Sequence, residues 1–534
     1  MINDQHDFLR PEVVGNNGMV AAAHPLAAQA GRDILAQGGN AIDAAVATAF
    51  TISVVEPFAS GLGGGGYAVV HLAESGKTVF VDYQSTAPGL STPDMYLEHP
   101  EDRSTGYRST MVPGYLAGLC ALLKRYGTLS LQHVMAAAIK YAEEGFVITP
   151  YLHSMMVRNH AKLLANEWAS KYFLVDGLPY EPGQLLVNTD LANTLRAIAE
   201  QGPDAFYRGE PARLIEQLMI ANDGLIRRSD LANARPAFRE PISMNYRGYE
   251  IKSSAPTSSG GITIAMILNM LEEFDVAALG HNSAEALHLW AEVARRAYAD
   301  RSSYIGDPNF VQPPITGLLS KAYARERISD FDPLVATAPT TGNPYPYNES
   351  PSTTHMSVID NGGNAVAITQ TLCSFFGNGI GVPGQGFLLN NQGEAWYTNP
   401  ESMNSVAPHK RPLSSMSPTV VLKDGQPFLS LGSPGSRRII TTTAQIISNV
   451  IDHGMGMQQA IEAARMYADG PNFAVEDRIS AEVIRALELK GHQVEVKGSL
   501  DDFFGGVNAV MYDERTGKFY GGADPRRDGY AAGC

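Results

Sequence analysis

Apolar positions in this chain recur with two periods, and the dominant period changes along the sequence. From Pro25 to Leu35 and from Ala41 to Ala49 the spacing predicts two Ala-rich helices, separated by Gly38-Gly39. The same reading predicts helices over Leu116–Tyr126, Leu131–Glu144, Ser283–Asp300 and Met457–Met466. Strand-like runs lie at Tyr67–Leu72 and Thr78–Tyr83, and then mostly in the C-terminal third, at Pro418–Leu422, Phe428–Leu431 and Val507–Tyr512. Helices and strands interleave, so periodicity predicts an α/β protein and no more.

The segment from Asp332 to Ser352 breaks the pattern. Pro333, Pro339, Pro344, Pro346 and Pro351, with Gly342-Asn343 among them, predict a loop. Beyond it, Thr353–Asp360 and Asn364–Thr371 read as two strands joined by Asn361-Gly362-Gly363, residues that tolerate positive φ. Thr353 and Thr371 then share the open end of a hairpin. On these residues alone, an ordinary edge hairpin after a surface loop is the favoured account. The chemical alternative is a nucleophile made by cutting the chain. A threonine hydroxyl within a polypeptide is a poor nucleophile, but a threonine at a new N-terminus carries an amine of pKa about 7.7–8.0 that can take its proton.

Composition narrows the class. Hydrophobic residues make up 44% of the 534 and are spread along the whole length, which favours large cores in one composite domain. Forty basic against 55 acidic residues leave a net charge of −15, with no basic stripe, which argues against nucleic acid or an anionic membrane as partner. Cys120, Cys373 and Cys534 are too few and too scattered for a disulfide framework or a Cys-rich zinc site. Cys120 reads as core, Cys534 as exposed, and Cys373 has no motif beside it that supplies a base. The 13 histidines show no paired spacing, so no metal is expected.

Gly63 to Gly66 precede a strand and lack a following Gly-Lys-Ser/Thr, so they read as close packing rather than a phosphate cradle. Arg296 and Asp300, spaced i, i+4 beside Arg295 and Arg301, read as a surface or interhelical ion pair rather than a direct substrate contact. Met1–Asn17 is polar with no apolar leader core, and Ala44–Val55 is too short to span a bilayer. A cytoplasmic location is expected if this N-terminus is native, and a periplasmic or secreted one if a signal was trimmed.

Three small-polar loops flank apolar runs in the C-terminal half: Leu388-Leu389-Asn390-Asn391-Gln392, Lys410 to Thr419, and Leu431-Gly432-Ser433-Pro434-Gly435-Ser436-Arg437. Together with His24-Pro25-Leu26-Ala27, the Gly61–Gly66 run and Ala523-Asp524-Pro525-Arg526, their order and spacing resemble the γ-glutamyltransferase family of N-terminal nucleophile hydrolases over nearly the whole chain. The resemblance implies a four-layer αββα sandwich. It also implies self-cleavage between Ser352 and Thr353, leaving a large fragment 1–352, which ends in the Pro-rich linker 332–352, and a small catalytic fragment 353–534. Thr353 would be the nucleophile, Thr371 the hydroxyl that orients it, and the backbone N–H groups of Gly435 and Ser436 the oxyanion hole, where the family has two glycines. Gln392, Ser414 and Ser415 match contacts to the α-amino acid head of the substrate.

Other positions depart from the family. Gln84, in Asp82-Tyr83-Gln84-Ser85-Thr86-Ala87-Pro88, replaces an arginine that pairs with the substrate α-carboxylate, and a neutral amide loses the bidentate charged fork. Cys373 stands for an asparagine, and Ala395 for the acidic residue that holds the α-ammonium, with Glu394 beside it as a replacement carboxylate. The interval from Gln392 to Ser414 is short compared with enterobacterial members, implying a missing lid and a bias toward hydrolysis. The reading is a cofactor-free, self-processing threonine amidohydrolase or transferase that cleaves γ-glutamyl amides such as glutathione, with water or an amine as acceptor. Two alternatives stand beside it: a cephalosporin-acylase-like or small-amide hydrolase with a non-glutamyl acyl group, and an uncleaved, silent homologue that serves as a binding protein.

Overall fold

In the computed structural model, residues 10–338 and 352–534 are described; positions 339–351 of the Pro-rich linker lie outside them. Local chemistry starts the helices where the sequence places them. His24 accepts the Leu26 N–H ahead of Pro25, and Asn40 with Asp43 forms a capping box on the helix Ala41–Val55. That helix is buried on every face, as its uniformly apolar sequence requires.

Two seven-stranded antiparallel sheets form the centre of the molecule. The first runs, in spatial order, Tyr530–Gly533, Gly18–Ala22, Ser352–Asp360, Ala365–Cys373, Gly65–Leu72, Lys77–Asp82 and Ala237–Arg239. The second runs Val13–Gly15, Lys518–Ala523, Asn508–Asp513, Gln426–Leu431, Thr419–Lys423, Tyr249–Ser253 and Ile242–Tyr246. Both sheets therefore contain strands from either side of residue 352.

Alternation along the strands sorts the layers. Met356, Val358, Val366 and Ile368 join the core under the helices Pro25–Ala36, Ala41–Val55, Tyr115–Tyr126 and Leu131–Glu144. Ile359, Ala365 and Ala367 turn instead toward the second sheet, whose other face is covered by Gly260–Leu271, Ala284–Tyr304 and Arg438–Ile451. The sheets are stitched by Ser357 Oγ donating to the Asn508 carbonyl at 3.0 Å and Ser430 Oγ donating to that of Val366 at 2.9 Å. The result is the αββα order of layers.

Three sequence expectations need correction. The helix predicted over Met457–Met466 ends at Glu462, and Met466–Asp469 is a strand paired with Asn472–Glu476. Arg296 does not pair with Asp300: it binds Glu292 and Asp330, each at 2.7 Å, while Asp300 takes Arg327 at 3.0 Å. The helix that carries them is buried along most of its length, so its charges are met by the segments packed against it. Cys534 is half-buried rather than exposed, because its amide donates to Gly18 O and its carbonyl accepts from Asn16 and Asn17.

A buried ion cluster supports the loops nearest the site. Asp524 pairs with Arg465 at 2.6 Å and Arg526 at 3.1 Å, and accepts the Val507 N–H at 2.8 Å. Burial alone would raise the Asp524 carboxyl, but the two arginines and the N–H groups of Arg526 and Val507 outweigh it and hold the pKa at about 2. A depressed carboxyl contributes stability above its unfolded pKa of about 3.9, lost as pH falls toward 2. Asp524→Asn is expected to lower stability at pH 7 by about 3–5 kcal/mol, because it leaves buried guanidinium charge unpaired. It should also flatten the loss between pH 4 and 2; urea midpoints at pH 7 and pH 3 read both effects.

Candidate active site

The predicted hairpin is present, as Ser352–Asp360 and Ala365–Cys373. Ser352 faces Cys373 and Thr354 faces Gln370, with the register shifting between them, so Thr353 sits at a bulge. Thr353 Oγ1 donates to Thr371 Oγ1 at 3.4 Å. The Thr371 hydroxyl also accepts the Cys373 N–H at 2.8 Å, which the left-handed backbone of Cys373, φ +84°, folds back onto it. Gly64 lies flat against this strand: a Cβ there would stand 2.4 Å from the Thr371 carbonyl oxygen. Close approach, not phosphate binding, is thus what that glycine serves.

The second sheet delivers a loop to the same place. Gly432–Ser436 follows the strand Gln426–Leu431 and leads into the helix Arg438–Ile451, whose N-terminal dipole favours negative charge. Gly435 has φ +132° and Ser436 φ +59°. Ser436 therefore keeps a backbone conformation suited to glycine, at a cost of about 1–2 kcal/mol for a residue with a Cβ. Ser433 Oγ steadies the loop by accepting the Gly506 N–H at 3.1 Å.

Between these elements lies an open cleft enclosing about 450 Å³, lined by Gln84, Thr353, Thr371, Cys373, Gln392, Glu394, Ser414, Ser415 and Ser436 among others. The fold thus gathers every predicted substrate contact at one site. Gly435 adjoins Ser436 at the margin, and Ser352 precedes Thr353 on the strand. Ala395, Leu413, Met416 and Ile439 complete an apolar portion of the wall.

Polar groups in the cleft are held from behind. Gln392 is the exception: both its amide atoms are buried without a partner among the described residues, a state that costs about 1–3 kcal/mol. Gln84 Oε1 accepts the Ser85 N–H at 3.1 Å, and its backbone is tied to Asp82, itself paired with Arg411 at 3.3 Å. Glu394 Oε2 accepts from Ser374 Oγ at 2.6 Å and Asn391 Nδ2 at 3.1 Å. Arg301 Nη2 donates to Ser415 Oγ at 2.8 Å, and its Nε donates to Ser259 Oγ, which in turn donates to the Ser414 carbonyl. Sequence reasoning placed Arg301 in an ion-pair cluster and missed this brace.

Glu394 is the only charged side chain lining the cleft among the described residues. His355, two residues after Thr353, is no base for it. Burial holds its imidazole neutral, with a pKa near 3, and its two nitrogens bond the Thr369 and Ser357 hydroxyls. Another group of metal-ligand types, His288, Glu292 and His492, is occupied by neighbours: Arg295 donates to His492 Nδ1 at 3.2 Å, the two rings bond at 2.7 Å, and Glu292 binds Arg296. An arginine inside such a cluster opposes a cation.

A family model described as Gamma-glutamyltranspeptidase matches residues 27–534. The chain belongs to the gamma-glutamyltranspeptidase family. It is an enzyme of the N-terminal-nucleophile hydrolase class, and similar members are proenzymes. The chain is 42% identical to the Acylase ACY 1 proenzyme of Pseudomonas sp. (strain SE83), over 96% of this chain and 93% of that protein. It is 41% identical to the Glutathione hydrolase proenzyme of Escherichia coli (strain K12), over 98% and 92%. The crystal structure of a cephalosporin acylase from Bacillus halodurans superposes with a TM-score of 0.91 at 31% identity, covering 100% of this chain and 99% of that one. A relative named as an acylase and one named as a glutathione hydrolase are thus about equally similar, so overall similarity does not select the substrate.

Proposed function

We propose that the chain cuts itself between Ser352 and Thr353 and then hydrolyses γ-glutamyl amides through an acyl ester on Thr353. The Thr353 hydroxyl attacks the amide carbonyl while the freed α-amine takes its proton. The amine passes that proton to the departing nitrogen, and water then attacks the ester and releases the acid. The N–H groups of Gly435 and Ser436 receive the negative charge that develops on oxygen in each tetrahedral state.

The observation that carries the γ-glutamyl reading is charge. Among the described residues that line the cleft, the one charged side chain is the carboxylate of Glu394. A γ-glutamyl head would bring an ammonium to that carboxylate and its own carboxylate to the neutral donors of Gln84, Gln392 and Ser415. A glutaryl group, the same acid without the amine, brings only negative charge. The second reading rests on Gln84 and Ala395: without the charged fork and the family's acidic residue, the cleft would accept a neutral acyl group as an acylase does.

A matched pair of anilides separates them. γ-Glutamyl-p-nitroanilide is expected to exceed glutaryl-p-nitroanilide in kcat/KM by about 10- to 100-fold, the worth of one charge-assisted hydrogen bond of about 1.5–3 kcal/mol. Glu394→Gln should erase most of that ratio. A glutaryl rate equal to or above the γ-glutamyl rate would overturn the reading in favour of an acylase.

A further inference from the structure

Arg527 is a buried cation with no salt-bridge partner among the described residues. It follows the Ala523–Arg526 motif and is 3% exposed. Its neighbour Arg526 is bound to both Asp524 and Glu476. Arg527 makes no such pair among the described residues; its Nε and Nη2 have no hydrogen-bond partner, while Nη1 donates to the Thr353 carbonyl at 3.1 Å. The Phe375 ring lies 5.9 Å from the guanidinium carbon.

Two carboxyl groups lie near that charge, and neither forms a salt bridge with it among the described residues. Glu56, at the end of the helix Ala41–Val55, is pushed up to about 8 by burial, against the pull of the Thr354 hydroxyl and Arg527 itself. Asp528 is also raised by burial and accepts the Thr149 hydroxyl. Tyr151 donates to Asp502 at 3.2 Å, and Arg10, a second cation, donates to the Arg527 carbonyl at 2.9 Å.

We propose that Arg527 is a positioning residue for Thr353: it supplies a partner for the carbonyl at the strand bulge, and its unpaired charge holds the freed Thr353 amine in the neutral form that accepts a proton. The inference rests on Thr353 being the processed nucleophile. Amine and carbonyl belong to one residue, so the guanidinium stands about 5–6 Å from the nitrogen. A like charge at that distance disfavours the ammonium form. The neutral amine then takes the hydroxyl proton as the Oγ–C bond forms, and returns it to the leaving nitrogen as the C–N bond breaks. Above pH 8, ionisation of Glu56 would add an anion beside the guanidinium and weaken the effect.

The test is the acidic limb of kcat/KM against pH, with γ-glutamyl-p-nitroanilide, for cleaved wild type, Arg527→Lys and Arg527→Gln, with Thr353→Ala as blank. The wild-type midpoint is expected below the free-amine range of about 7.7–8.0. Arg527→Gln should move it up by about one pH unit, and Arg527→Lys should leave it in place. A Gln variant that loses the same factor at every pH, or a Lys variant that fails to restore the limb, would reduce Arg527 to a structural anchor. Should Arg527→Gln fail to fold or cleave, wild type alone decides. Acetylation of the Thr353 amine against pH, read by the mass of fragment 353–534, needs neither variant nor substrate, and a half-reactive pH at or above 8 sinks the proposal. Turnover that persists in Thr353→Ala would instead bring down the nucleophile assignment, and this inference with it.

Discussion

A chain carrying Thr353→Ala will stay a single 534-residue polypeptide under denaturing conditions and will release no acyl group above the uncatalysed rate, whereas the parent will separate into fragments 1–352 and 353–534. One hydroxyl is asked to act twice, first on the Ser352 carbonyl and then on substrate. Among the described residues, no second nucleophile with its own base is seen at the cleft: Cys373 lines it, but His355 has both ring nitrogens engaged. Intact mass together with anilide turnover reads both steps. A cleaved variant, or an uncleaved one that turns over, would end the assignment, and an uncleaved parent without activity would favour the silent binding protein.

Replacing Thr371 by Ala should slow self-cleavage and turnover by about 10²-fold each, the scale on which a misplacement of about 1 Å acts. The Thr371 hydroxyl holds two groups at once, the Thr353 hydroxyl and the Cys373 N–H, so its loss frees both the nucleophile and the strained turn that follows. The hydroxyl is not part of the apolar core, and the thermal midpoint should stay within a few degrees of wild type. Equal loss of activity and fold would make Thr371 structural only.

Much of the site was legible because it is local. A hairpin register follows from its turn and its alternation, so Thr353 and Thr371 meet at its open end whatever surrounds them. The glycines before Tyr67 and the loop Gly432–Ser436 were likewise readable, since backbone without a side chain marks close approach. The clustering of Gln84 with Gln392, Glu394, Ser414 and Ser415 was legible only through family resemblance, because nothing in their spacing brings them together. Arg301 and Arg527 were not legible in these roles. Each is one of several neighbouring arginines, and only the partner each meets distinguishes it from the others.

The sequence by itself therefore determined the α/β class, the helix starts, the hairpin and the chemistry available at Thr353, all consequences of short-range sterics, capping and period. Tertiary structure decided which charges are neutralised. Arg296 and Asp300 are one helical turn apart yet bind other partners, and among the described residues Arg526 is in salt bridges while Arg527 is in none. The reason is physical. The field at a buried group depends on everything packed within a few ångströms of it, and in a sandwich of two sheets those neighbours come from segments hundreds of residues apart.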